Sequence, residues 1–144
     1  ATCLTESWQA YREVSNNHCM LGHLMEWLYS GLGGIRQSPG SAGYKEIVIR
    51  PQVVGDIHSA AVSFRSPYGL IRSEWSDSPQ QYRQRVEIPA NTTALVSLPA
   101  VDPAAVSESG VPLGEVPGLS VRERGKDYLA VAVGSGIYDF RVAR

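Results

Sequence analysis

The stretch QYRQRVEIPANTTALVSLP, residues 81–99, decides the fold. In its first half Tyr82, Val86 and Ile88 alternate with Arg83, Arg85 and Glu87, the period of two that gives a β-strand one apolar and one polar face. Pro89, Ala90 and Asn91 interrupt the pattern with turn residues, and TTALVSLP resumes it as a second strand. The same grammar extends toward the N-terminus in GLIRSEWS (69–76), DIHSAAVSFRS (56–66) and YKEIVIRP (44–51), divided by turn signals at Asp77–Pro79, Ser66–Gly69 and Pro51–Gly55. Toward the C-terminus, a Pro- and Gly-rich loop at about 100–118 precedes LSVRER (119–124), YLAVAV (128–133) and GIYDFRV (136–142). Gly125–Lys126–Asp127 and Gly134–Ser135–Gly136 are tight hairpin connections. About eight short, closely spaced strands predict a mainly β chain folded as an antiparallel sandwich or barrel.

Residues 18–34, HCMLGHLMEWLYSGLGG, obey a different period. Leu21, Leu24, Met25, Leu28 and Leu32 recur as one stripe of a 3.6-residue repeat, which predicts an amphipathic helix from about His18 to about Leu32. Ser15, Asn16 and Asn17 can cap its start, and Gly31, Gly33 and Gly34 supply the freedom its end requires. Trp27 and Tyr29 widen the apolar surface beyond one stripe, so the helix is expected to have helical neighbours on more than one side, yet the chain holds no other good helix. Residues 1–17 read as loop, with a short helical turn around Gln9–Glu13, and 36–43 (RQSPGSAG) as the boundary between helix and strands.

The 144 residues are 43% hydrophobic and 19% charged, the balance of one ordinary globular domain with an appendage. A net charge of −1 with no basic stripe offers nothing to nucleic acid or an anionic membrane surface, and no apolar run approaches the roughly 20 residues needed to span a bilayer. The start has no signal-peptide pattern and no Met, which suggests a fragment or processed product; compartment stays open. Cys3 and Cys19 are expected to be reduced thiols.

Several residue types could carry chemistry. Glu6, Trp8 and His18 place a carboxylate, an indole and an imidazole on one short connection, which spacing alone reads as readily as loop surface. His23 and His58 read as structural histidines, and no His-x-Glu-x-x-His or Cys-x-x-Cys spacing recruits a metal, so neither metal nor cofactor is expected. Ser63, Ser66 and Ser73 lack the Gly-x-Ser-x-Gly elbow of a serine nucleophile. The glycines at 31–34 follow the helix, so they cannot form an anion site at its N-terminus. Asn91–Thr92–Thr93 matches a glycosylation acceptor that arises often by chance. Trp75 and Tyr68 could stack against a sugar, although core packing is the commoner use of such residues.

An ordered series of segments goes further. ATCLTESW (1–8), NNHCMLGHLMEWLYSGLGGIR (16–36), GYKEIVIRPQ (43–52), GDI (55–57), SPYGLIRSEW (66–75) and VEIPANTTALVSLP (86–99) together resemble the C-terminal end of the bacterial α-L-rhamnosidases of glycoside hydrolase family 78. The resemblance implies an (α/α)6 barrel whose last helix and preceding loop lie in residues 1–38, followed by a C-terminal β-sandwich in residues 39–144. It makes Glu6 similar to the family's general base and His18 to its sugar-subsite histidine, with Trp8 lining or bracing the site; Thr5 stands where the family usually has Trp. It further implies a rhamnoside substrate, a general acid in the barrel upstream, and no activity for these residues alone. The contrasting expectation is a non-catalytic carbohydrate-binding or structural sandwich, in which Glu6 and His18 do no chemistry.

Overall fold

A computed structural model describes residue 13 and residues 18–144. The predicted helix is present as one continuous segment with three windings: a 3-10 turn Cys19–Gly22, an α-helical turn His23–Trp27 and a π turn Leu28–Leu32. His18 occupies the N-cap position in extended conformation and makes no side-chain cap bond. The expected caps Ser15, Asn16 and Asn17 lie outside the described residues, as does the turn around Gln9–Glu13 but for Glu13 itself.

Eleven strands follow: β1 (Ile35–Gln37), β2 (Glu46–Ile49), β3 (Ser59–Ser66), β4 (Gly69–Asp77), β5 (Gln81–Ile88), β6 (Thr93–Leu98), β7 (Val106–Glu108), β8 (Val111–Pro112), β9 (Ser120–Arg124), β10 (Leu129–Val133) and β11 (Gly136–Ala143). All eight strands expected from alternation form. The three additions, β1, β7 and β8, have two or three residues each, too few to display a period. His58, expected within a strand, sits just before β3.

The strands make a sandwich of two sheets, ordered β1-β2-β6-β10-β9 and β3-β4-β5-β11-β7-β8. Pairing is antiparallel except between β2 and β6, where Glu46–Ile49 runs parallel to Thr93–Val96. The exception follows from connectivity. Between β2 and β6 the chain visits the other sheet to form β3, β4 and β5, and such a crossover can bring it back in its original direction.

The alternation seen in the sequence becomes the core. Tyr82, Val86 and Ile88 of β5 point inward beside Ile71 and Trp75 of β4 and Phe140 and Val142 of β11, opposite Ile47, Ile49, Val96, Leu98, Leu129 and Val131 of the first sheet. Gln84 shares the inner face of β5 and is fully buried, its side-chain carbonyl accepting from the Tyr82 hydroxyl at 3.2 Å. Burial pushes the Tyr82 phenol well above its ordinary pKa, with the Asp77 carboxylate adding to the rise. This hydroxyl stays protonated and acts as a donor.

Candidate functional site

Of the three residues expected to carry chemistry, His18 is half-buried at the head of the helical segment, while Glu6 and Trp8 lie outside the described residues. His23 and Cys19 are exposed nearby. His58 is exposed just before β3, its main-chain carbonyl accepting from the Asp77 amide at 2.8 Å. No group of three His, Cys, Asp or Glu side chains converges on a possible metal position among the described residues.

Among the described residues, this helix presents an unusually apolar surface. Leu24 is 63% exposed and Met25 53%, with Met20 and Trp27 exposed beside them, so the apolar stripe predicted to seek burial is left uncovered at Leu24 and Met25. Its second half meets the sandwich, where Leu32 packs against the core and Tyr29 meets the Phe64 ring edge-on at 6.1 Å. A groove lined by Met25, Leu28, Tyr29, Ala61, Val62 and Ser63 runs between helix and β3.

The end of the helix is fixed to the sandwich through its carbonyls. A helix leaves its last carbonyl groups without partners of its own. Here the Trp75 indole Nε1–H donates to the Leu32 carbonyl at 2.8 Å, the Gln52 amide to Gly31 at 3.0 Å and the Arg50 amide to Gly34 at 2.9 Å. Glycine makes the approach possible. A Cβ on Gly33 would lie 2.7 Å from Val62, and one on Gly34, whose φ is +71°, would lie 2.2 Å from the Arg50–Pro51 backbone.

Trp75 thus answers the question its sequence context left open. It is 3% exposed, stacked on Tyr82 with ring centroids 6.4 Å apart, and serves the core and the helix end in place of a sugar platform. Tyr68 is exposed and lies under the Lys45 ammonium, 5.3 Å from its ring centre. Ser66 fixes the β3–β4 turn, donating to the Gly69 carbonyl and accepting from the Tyr68 amide; Ser73 is buried in the core and Ser63 lies exposed on β3. Asn91 takes a left-handed turn conformation, φ 59°, between β5 and β6.

The solvent face of the second sheet carries a lattice of charges. Arg83 and Asp139 make two bonds of 2.8 and 2.7 Å, Arg141 approaches the same carboxylate at 3.7 Å, and Arg72 reaches Glu74 and Glu87. The Arg83 hydrogen bond holds the Asp139 carboxyl below the usual carboxylate range. A depression of about 460 Å³ opens here, its lining including Ala60 and Trp75 of the two strands beneath and Glu74, Ser76, Arg83 and Arg85 around them. Its charges are largely spoken for by one another, which is the arrangement of a solvated face.

Comparison with known proteins adds to this geometry. Residues 34–111 match the family model for the bacterial alpha-L-rhamnosidase C-terminal domain. An alpha-L-rhamnosidase of Streptomyces avermitilis is 36% identical over 129 residues, covering 89% of this chain and 12% of that protein. One from Formosa agariphila is 27% identical over 150 residues, covering 98% of this chain and 16% of that protein. Among solved structures, an alpha-L-rhamnosidase from Dictyoglumus thermophilum superposes with a TM-score of 0.81 at 27% identity, over 98% of this chain and 16% of that one. The Streptomyces avermitilis alpha-L-rhamnosidase complexed with L-rhamnose superposes at 0.78 and 29% identity, over 96% and 13%. The chain therefore spans less than a fifth of the length of these relatives.

Proposed function

The chain belongs to the bacterial alpha-L-rhamnosidase C-terminal domain family, and from that premise we propose that it is the C-terminal portion of an inverting α-L-rhamnosidase, to which it contributes the general base. In this reading residues 1–38 carry the loop and last helix of an upstream (α/α)6 barrel and residues 39–144 the terminal sandwich, with β1 at the end of the first segment paired to β2 of the second. The observation that carries the proposal is the helical segment. Its apolar stripe is uncovered at Leu24 and Met25, as a barrel helix parted from its neighbours would be, and His18 sits at its N-cap.

The chemistry asks for little from this chain, but what it asks is specific. Inversion needs one carboxylic acid to protonate the leaving oxygen and one carboxylate to take a proton from the attacking water, the two standing roughly 6.5–9.5 Å apart. Glu6 is the base. The acid belongs to earlier barrel helices, so this chain alone is inactive. A base must be ionised at working pH, and hydrogen bonds donated to Glu6 lower its pKa while a dry wall such as the Trp8 indole raises it. His18 binds a sugar hydroxyl of a terminal α-L-rhamnosyl residue.

The alternative of a carbohydrate-binding sandwich finds little support in Trp75, whose ring is 3% exposed and stacked on Tyr82, and would rest on the exposed Tyr68. The deciding assay is Glu6→Gln in the full-length enzyme with an aryl α-L-rhamnoside. Turnover is expected to fall by about 10²–10⁴-fold, the range of a lost general base, with circular dichroism unchanged. Near-normal turnover would defeat the assignment.

A further inference from the structure

We infer that Trp75, through its hydrogen bond to the Leu32 carbonyl, is a positioning residue for the active-site end of the helix; the inference rests on the proposed role of Glu6 and His18. The bond is 2.8 Å long, joins residues 43 apart in sequence and lies in a largely buried setting. Beside it, the Gln52 and Arg50 amides hold Gly31 and Gly34. Three donors from two places on the sandwich, β4 and the segment that leaves β2, therefore hold the helix terminus. Gly34 lets the chain approach the Arg50–Pro51 backbone, and Gly33 lets it approach the Val62 side chain, closer than any residue with a Cβ could.

His18 sits at the other end of the same helical segment. Fourteen residues of helix span roughly 20 Å, so a tilt of about 3° at the anchored end displaces the far end by about 1 Å, a shift that can cost on the order of 10²-fold in rate when it misplaces a reacting group. Without its anchor the last turn would have to find water for its carbonyls, and the π winding at Leu28–Leu32 would lose the partners toward which it turns them. Upstream neighbours, covering Leu24 and Met25, would restrain the middle of the helix. The sandwich fixes its end.

Trp75→Phe in the full-length enzyme keeps a ring for stacking on Tyr82 and removes the N–H. We expect kcat on an aryl α-L-rhamnoside to fall about tenfold, a modest part of what a full 1 Å displacement costs. A control, Val131→Ala in the core of the other sheet, should lower the unfolding midpoint without changing kcat. In a His18→Ala background, adding Trp75→Phe should lower the residual rate by less than twofold, because the contact whose placement it protects is gone. Should Trp75→Phe not accumulate, Gln52→Pro deletes the neighbouring donor from an exposed loop and carries the same expectation. Unchanged kcat in Trp75→Phe alongside an inactive Glu6→Gln would overturn the positioning role and leave the base standing. A fully active Glu6→Gln would overturn both.

Discussion

The helical segment and the sandwich are built from the same apolar residues and meet opposite fates. In the sandwich, Ile49, Ile71, Val86, Val96, Val131 and Phe140 are fully buried in one core that both sheets share. In the helix, Leu24 and Met25 are more than half exposed although their spacing is as regular as that of any strand. The difference teaches that a pattern specifies which face seeks burial, while only the rest of the protein supplies what buries it. The sandwich is complete within this chain. The helix is complete only at its glycine-rich end, where Trp75, Gln52 and Arg50 receive it.

The largest expected effect lies in the complete half. Phe140→Ala should destabilise the fold by about 3–5 kcal/mol, because the ring is fully enclosed between the sheets and stacked 5.9 Å from Tyr138. Chemical denaturation checks it, with a loss below about 1 kcal/mol breaking the picture of a closed core. Next comes the join. Gly34→Ala forces a left-handed residue to carry a Cβ into the Arg50–Pro51 backbone. It should cost at least about 2 kcal/mol, combining the left-handed penalty with overpacking. It should also loosen residues 28–34 before the sheets, visible as selective proteolysis on the helix side of β1. A Gly34→Ala protein as stable as the parent would mean that helix and sandwich are joined loosely.

Much of this contrast was legible in the residues, and what was not has identifiable causes. Eight strands announced themselves because alternation over four or more residues separates a strand from noise. β1, β7 and β8 could not, and the parallel pairing of β2 with β6 depends on crossovers that no local pattern encodes. The helix was legible, but not its change of winding near Leu28, which follows from carbonyls turning toward partners far along the chain. Among the site residues, Glu6 and Trp8 became visible through resemblance alone, since one carboxylate beside one indole has no distinctive spacing. Trp75 was legible as core, but its bond to Leu32 joins residues 43 apart in the chain. The glycines at 31, 33 and 34 were the signal available: so many in one turn mark a close approach as well as a helix end.

The central claim is that the helix is half of an arrangement finished by the upstream part of the full-length protein. Amide hydrogen exchange across residues 22–28, compared between this chain and the full-length enzyme, tests it most directly. A short helix with one uncovered face is marginal in water, so those amides should exchange nearly freely here while β10 and β11 remain protected, and should slow by about 100-fold or more in the full-length enzyme. Equal protection of residues 22–28 in both would contradict the account.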